Sequence, residues 1–278
     1  PAATAAPAAT AIPTPVPTAT SVPVPTGPKK GGTLRYVETF DTRSFSPLRV
    51  TTSETSFLEP VFGYLVGLTR DLILEPQMAA SWDAAADGSG LTFNLKPGIK
   101  FHDGSDFNAA AVKAHLDNIL DPEWAALGQK VLAPVSSVEV VSELAVRLNF
   151  KFPDVVVLAR LGRRDGMVPS MKAMSSVTPA TLTEFSLNPV GAGPFKFVSR
   201  RADSNVKFEA WDKSHPADRG LPHLDALELR IIPDRSVALA AFRAKDIDTM
   251  DSTQDQVALL ENVQGVVVHP AVVRGPVE

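Results

Sequence analysis

Between Met78 and Leu120, almost every change of hydrophobic period falls on a residue suited to a boundary. Leu91, Phe93 and Leu95 alternate with Thr92 and Asn94, the period-2 pattern of a half-buried strand. Lys96-Pro97-Gly98 then reads as a turn, because proline presets φ and glycine admits the left-handed region. Ile99 and Phe101 predict a second short strand, and His102-Asp103-Gly104 a second turn. Asn108 is placed to cap a helix whose apolar face is Val112, Leu116, Ile119 and Leu120, ended by Asp121-Pro122. A chain that switches from period 2 to period 3.6 in this way is neither all-helical nor a simple meander.

The rest of the chain sets the limits. Its 278 residues are 44% hydrophobic and 21% charged, enough for a sizeable core in one large or two smaller domains. The net charge of -4 argues against a nucleic-acid partner, which needs a basic face. With no cysteine there is neither a disulfide nor a thiolate site. No apolar run approaches the roughly 18 residues of a membrane span. The sequence opens without an initiator Met or an apolar signal core, so a processed or trimmed form is expected.

Residues 1–28 contain no charge and eight prolines. Proline removes backbone donors, so this leader is expected to be a disordered, extended tether reaching at most about 85 Å. Beyond it, Thr33 to Val37 predicts a first strand, and Phe57, Val61, Tyr64 and Leu65 share one helical face that starts or kinks at Pro60. Val138–Val141 and Val146–Phe150 predict a hairpin, and Pro153 to Leu161 a short helix or an apolar loop. Met167-Val168-Pro169-Ser170 reads as the end of a strand. Two glycines and two prolines in Pro189–Pro194 force a tight irregular crossing into a strand at Phe195. Further strands are expected at Val206–Trp211, Leu227–Ile231, Asp246–Asp248 and Gly265–Val273. Asp234 is placed to cap one helix and Ser252, with Asp255, another.

Candidate chemistry is sparse. His102 reads as a turn histidine, and His102 and His115 lack ligand spacing, so no metal is expected. The glycines near Gly191 and Gly193 have no Lys-Ser/Thr and open no helix, which excludes a phosphate loop. No G-x-S-x-G or Ser-His-Asp order is present, and Asp246 with Asp248 is a weak carboxylate pair. No catalytic residue, enzymatic activity or cofactor is expected.

Several of these landmarks resemble those of one family, the extracytoplasmic solute-binding proteins of ABC importers in the peptide/nickel-binding group, family 5. Gly31-Gly32-Thr33-Leu34-Arg35 resembles its opening strand, Phe45-Ser46-Pro47-Leu48 its "LDP" turn with Ser46 in place of aspartate, and Pro189–Phe195 its "PVGTGPY". Met78 to Leu120 resembles the stretch by which the family is usually recognised. Trp211-Asp212 to Leu224-Asp225 is similar to its "W … P-x-L-D" connection, and Asp246-Ile247-Asp248 to its "GEID" strand. The resemblance implies an α/β fold: a type II periplasmic-binding-protein-like lobe of mixed β-sheets flanked by helices. It implies a main-sheet subdomain at 29–48 plus 187–273, an inserted subdomain at 49–186, and a second lobe that would begin after Glu278. It implies a monomeric extracytoplasmic protein, held by a lipid anchor upstream of residue 1, that captures a small-molecule or peptide solute for an ABC permease. A cell-surface sensor or adhesion module reusing the lobe is the alternative. Ligand-facing positions carried over from the family are Thr51, Thr52 and Ser53 after the "LDP"-like turn, and Trp124 as an aromatic wall.

Overall fold

The computed structural model describes residues 29–69, 71, 73–154, 156–211, 221–260, 263 and 265–269. Ten strands and seven α-helices follow in order among them: β1 Thr33–Glu38, α1 Thr55–Phe62, β2 Val66–Leu68, β3 Leu74–Pro76, β4 Ala79–Ala84, β5 Gly90–Leu95, α2 Ala109–Leu120, β6 Val135–Ser142, β7 Ala145–Phe150, α3 Val156–Leu161, α4 Met171–Met174, α5 Leu182–Phe185, β8 Phe195–Arg201, β9 Asn205–Ala210, β10 Ala226–Ile231, α6 Arg235–Arg243 and α7 Gln254–Leu260.

Two four-stranded sheets organise these elements. The first runs β1-β10-β9-β8; β1 and β10 are parallel and the other neighbours antiparallel. A parallel bridge from Tyr36 to Thr249 adds the Asp248 segment beyond β1. The second sheet, β4-β5-β7-β6, is antiparallel throughout, with Phe93 opposite Val146. Alternation decides which face is buried: Leu91, Phe93 and Leu95 point into the core while Thr92 and Asn94 are half-exposed. Helix α2 covers this sheet with Val112, Leu116 and Ile119, and Asn108 caps it by accepting the Ala111 amide at 3.0 Å.

Helix α1 joins the two halves. It is eight residues long with Pro60 inside, too short to persist on its own. It is held by burying Phe57, Leu58, Val61 and Phe62. Phe57 meets Phe45 edge-on at 6.5 Å, Phe45 meets Phe197 of β8 at 5.2 Å, and Phe197 meets Phe208 of β9 at 6.4 Å. The buried cluster runs without a break through both sheets.

Several local expectations are corrected. The α1 helix begins before Pro60 and stops at Gly63, whose φ of 63° leaves the helical region, so Tyr64 and Leu65 lie beyond it. Proline is tolerated there because a short helix has few interior hydrogen bonds to lose. Ile99–Phe101 makes only an isolated bridge from Lys100 to Asp106, and Met167–Ser170 is buried but extended, without a ladder. At α7 the cap is Thr253, whose amide donates to Gln256 Oε1 at 3.2 Å and whose carbonyl receives the Val257 amide, and not Ser252. Gly265–His269 is not a strand; the remainder of that expected strand, the connection through 212–220 and the 1–28 leader lie outside the described residues.

Candidate functional site

A cleft lies where α1 crosses the exit of β1. It encloses about 410 Å³, with Tyr36 and Glu38 from β1, Ser56 and Glu59 from α1, and Thr249 and Asp251 from the segment beside β1. Sequence periodicity builds it. Leu34, Tyr36 and Glu38 share one face of β1, and Ser56, Glu59 and Pro60 fall at i, i+3 and i+4 on α1. Ligands of α/β proteins gather outside the carboxyl ends of parallel strands, and β1 with β10 supplies such an edge.

The cleft is electronegative. Burial pushes the Glu38 carboxyl above its usual range; neighbouring Asp251 and Glu59 add to this, and the Ser56 hydroxyl opposes it. Burial also raises Glu59, partly offset by the hydrogen bond that Tyr64 donates to its Oε1. The phenols of Tyr36 and Tyr64 are held well above their ordinary value, first by burial and then by these carboxylates, so both stay neutral donors. Among the described residues, those lining the cleft include no histidine, lysine or arginine. It therefore offers acceptors to a ligand amine or amide.

Glu38 gives a pH test of this geometry. Its folded carboxyl is raised, so protonation favours folding; that contribution is complete below about pH 4 and is lost as pH climbs through the raised value. Glu38→Gln stays neutral throughout. The variant is expected to melt above the parent at pH 7.5 and level with it at pH 4. A thermal melt showing the reverse order would remove the argument for a buried charge here.

The four positions carried over from the resemblance do not line this cleft. Thr51, Thr52 and Ser53 are exposed, on the turn that opens α1. The Thr51 amide and hydroxyl both donate to Glu54 Oε2 at 2.8 Å, and the Thr51 and Ser53 hydroxyls are 2.9 Å apart. Burial would raise Glu54, but hydrogen bonds from Thr51, Arg43 and Thr42 outweigh it and hold the carboxyl low. Trp124 is half-buried against the core, in the turn after α2. That turn reaches the first one through the Leu127 amide, which donates to Leu48 O at 3.0 Å. So the chain just after the Trp124 turn meets the chain just before the Thr51 turn. Sequence reasoning missed Glu38 and Glu59. Their signal was a carboxylate ending an apolar alternation and another on the flank of an apolar helical face.

The remaining singled-out residues are structural. Asp248 receives the Arg35 guanidinium at 2.8 and 3.0 Å and the Arg35 amide at 2.8 Å, which holds its carboxyl low. His102 packs edge-on against Trp211 and bonds Gly193 O at 3.0 Å, while the Lys196 ammonium sits 3.9 Å above the Trp211 ring. Among the described residues no group of three or more His, Cys, Asp or Glu could hold a metal ion, and no helix is long and apolar enough to cross a membrane.

Comparison with known proteins supplies the setting. The chain is 32% identical over 192 residues to the glutathione-binding protein GsiB of Pectobacterium atrosepticum, a match covering 68% of this chain and 35% of GsiB. The oligopeptide-binding protein AppA of Bacillus subtilis, solved with a nonapeptide, superposes with a TM-score of 0.79 at 24% identity, over 86% of this chain and 47% of AppA. An ABC transporter substrate-binding protein from Sinorhizobium meliloti superposes at 0.70 and 26% identity, over 83% of this chain and 47% of that one. The chain thus spans about a third to a half of the proteins it matches. Residues 74–276 match the family described as bacterial extracellular solute-binding proteins, family 5 Middle. The chain belongs to that solute-binding family, which is not a class of enzymes, and its fold is that of a type II periplasmic binding protein.

Proposed function

We propose that this chain is one solute-gripping lobe of an extracytoplasmic ABC-importer binding protein whose solute is a peptide. The observation that carries the reading is an open, carboxylate-lined cleft at a parallel strand edge, in a chain of the solute-binding family. A peptide suits it because every peptide offers N–H donors, and many offer a free amine, to Glu38, Glu59 and Asp251. GsiB, which binds glutathione, and AppA, solved with a nonapeptide, support the same solute class.

The mechanism is capture without chemistry. Solute contacts this lobe first; a hinge closes a second lobe over it, and closure is favoured only by contacts made in the closed state. The closed monomer then docks on a membrane permease, and the proline-rich leader tethers it to a lipid anchor. Within the lobe, 29–48 with 187–273 forms the main-sheet subdomain and 49–186 the inserted one, a division supported by the separate ladders of the two large sheets. Thr51, Thr52 and Ser53 present polar groups, and Trp124 an apolar wall, to a longer solute extending beyond the cleft.

A lobe alone buries one side of a solute, so the chain is expected to hold glutathione or a nonapeptide with a dissociation constant on the order of 1 mM. Titration calorimetry and amide-shift NMR with each peptide, free and N-acetylated, test this. Weak shifts confined to the cleft and the Thr51 turn support the reading. Submicromolar one-to-one binding would mean a complete site within the chain, and no shift with any peptide removes the peptide assignment.

A further inference from the structure

One buried ion pair touches the residue just before the Thr51 turn and the chain just after the Trp124 turn. Arg164 and Asp165 are 8% and 6% exposed, and His115 of α2 is fully buried. The Arg164 guanidinium donates to Asp165 Oδ1 through Nε at 3.2 Å and Nη2 at 3.1 Å. Its remaining arm, Nη1, donates to the carbonyl of Val50 at 2.5 Å, the residue immediately before the Thr51 turn. The Asp165 carbonyl is bonded to His115 Nε2 at 3.1 Å. On the other side, Asp165 Oδ1 presses against Gly128 so closely that a Cβ there would lie 2.2 Å away, and Gly128 follows Leu127, whose amide reaches Leu48.

Two carboxylates therefore frame the turn. Glu54 fixes it from within, through Thr51, Thr42 and Arg43. The Arg164 arm fixes its entry at Val50 and, through Asp165 and Gly128, the neighbouring Trp124 turn. A buried ion pair is not in itself a stability device, because desolvation offsets its attraction and apolar residues of similar volume do as well. A planar fork with donors aimed in two fixed directions is instead suited to setting geometry.

We propose that the Arg164–Asp165 pair is the positioning element of the solute-facing surface, holding the Thr51–Ser53 turn and the Trp124 turn in one fixed relation. Arg164 touches no solute; it acts through the Val50 carbonyl. The inference rests on the reading of those two turns as solute-facing, and the test separates the two claims.

Two variants of the 278-residue chain are compared with the parent by residue-resolved amide hydrogen exchange without ligand. Arg164→Met with Asp165→Asn removes both charges together and leaves neither buried alone. Arg164→Lys keeps the charge beside Asp165 but cannot reach Val50 O and Asp165 at once. In both, exchange at the Thr51, Glu54 and Leu127 amides is expected to rise about tenfold, while amides of α2 and β5 keep parent rates. Where the double variant does not fold, the lysine variant alone decides. Parent rates at all three amides, or a uniform rise across the chain, overturns the positioning role. The nonapeptide titrated into parent and variant then tests the other claim. Weaker shifts in the variant join the two. Unperturbed Thr51 and Trp124 in the parent remove the solute-facing reading, and the inference with it, whereas parent exchange rates in the variants overturn the inference alone.

Discussion

Replacing Gly191 by alanine is expected to destabilise the protein by about 3 kcal/mol, at the upper end of the usual cost of overpacking a core. A Cβ at that position would lie 2.2 Å from the carbonyl oxygen of Val61 and 2.8 Å from the Cα of Phe62, both backbone atoms of α1 that cannot swing away. The crossing has no freedom to retreat either. Gly191 O accepts the His102 amide at 2.9 Å, Gly193 donates to Val61 O at 2.7 Å, and the Val190 carbonyl holds the Ser170 amide at 2.9 Å. Relief requires α1 to move off the first sheet, which opens the Phe45, Phe57 and Phe197 contacts. A loss of this size lowers the melting temperature of a chain this long by roughly 10 °C. Gly98 is the control: its φ is left-handed, at 78°, and nothing lies within 4 Å of its Cβ position. Gly98→Ala is expected to cost only about 1 kcal/mol of backbone strain. Equal urea midpoints for the two variants would show that the crossing yields, and that its glycines are not there for close approach.

Much of this was legible in the sequence because it is written in local period and punctuation. The Leu91–Leu95 alternation, the Asn108 cap and the Asp234 cap, which accepts the Ser236 amide at 2.7 Å, each need only a few neighbours to be right. The family landmarks gave the lobe for the same reason. What failed did so where tertiary packing overrides a local signal. Tyr64 and Leu65 continue a helical period, yet their residues turn away at Gly63 to feed β2, because the core wants Leu65 and Val66 there. Ile99 and Phe101 alternate as a strand should, but they have no partner strand and serve as anchors of a turn. The candidate site was legible only in part. The Thr51 turn and Trp124 were carried over from the family resemblance, and they lie outside the cleft. The cleft depends on Glu38, Glu59 and Asp251 meeting across three segments, which no period within one segment reveals.

Phe57→Ala is expected to cost about 4 kcal/mol and to dismantle the wall of the cleft along with the core. Phe57 is wholly buried and packs against both Phe40, at 5.9 Å, and Phe45. Its helix supplies Ser56, Glu59 and Pro60 to the cleft and has no stability apart from what it buries. The chain's own two tyrosines report on the consequence. The Tyr36 hydroxyl donates to Ser56 O at 3.4 Å, the Tyr64 hydroxyl donates to Glu59, and both phenols are raised chiefly by burial beneath α1. In the parent, neither phenol is expected to ionise before alkaline unfolding. In the variant, with α1 loosened, both are expected to titrate near pH 10, the ordinary phenol range. Phe152, which is 55% exposed, is the matched control; its alanine variant is expected to lose under about 0.5 kcal/mol and to keep the parent titration. Should Phe57→Ala lose its 4 kcal/mol while the ultraviolet titration of both tyrosines stays at the parent position, burial of the cleft would not depend on α1. The short helix would then be a passenger on the first sheet and not the part that shapes the site.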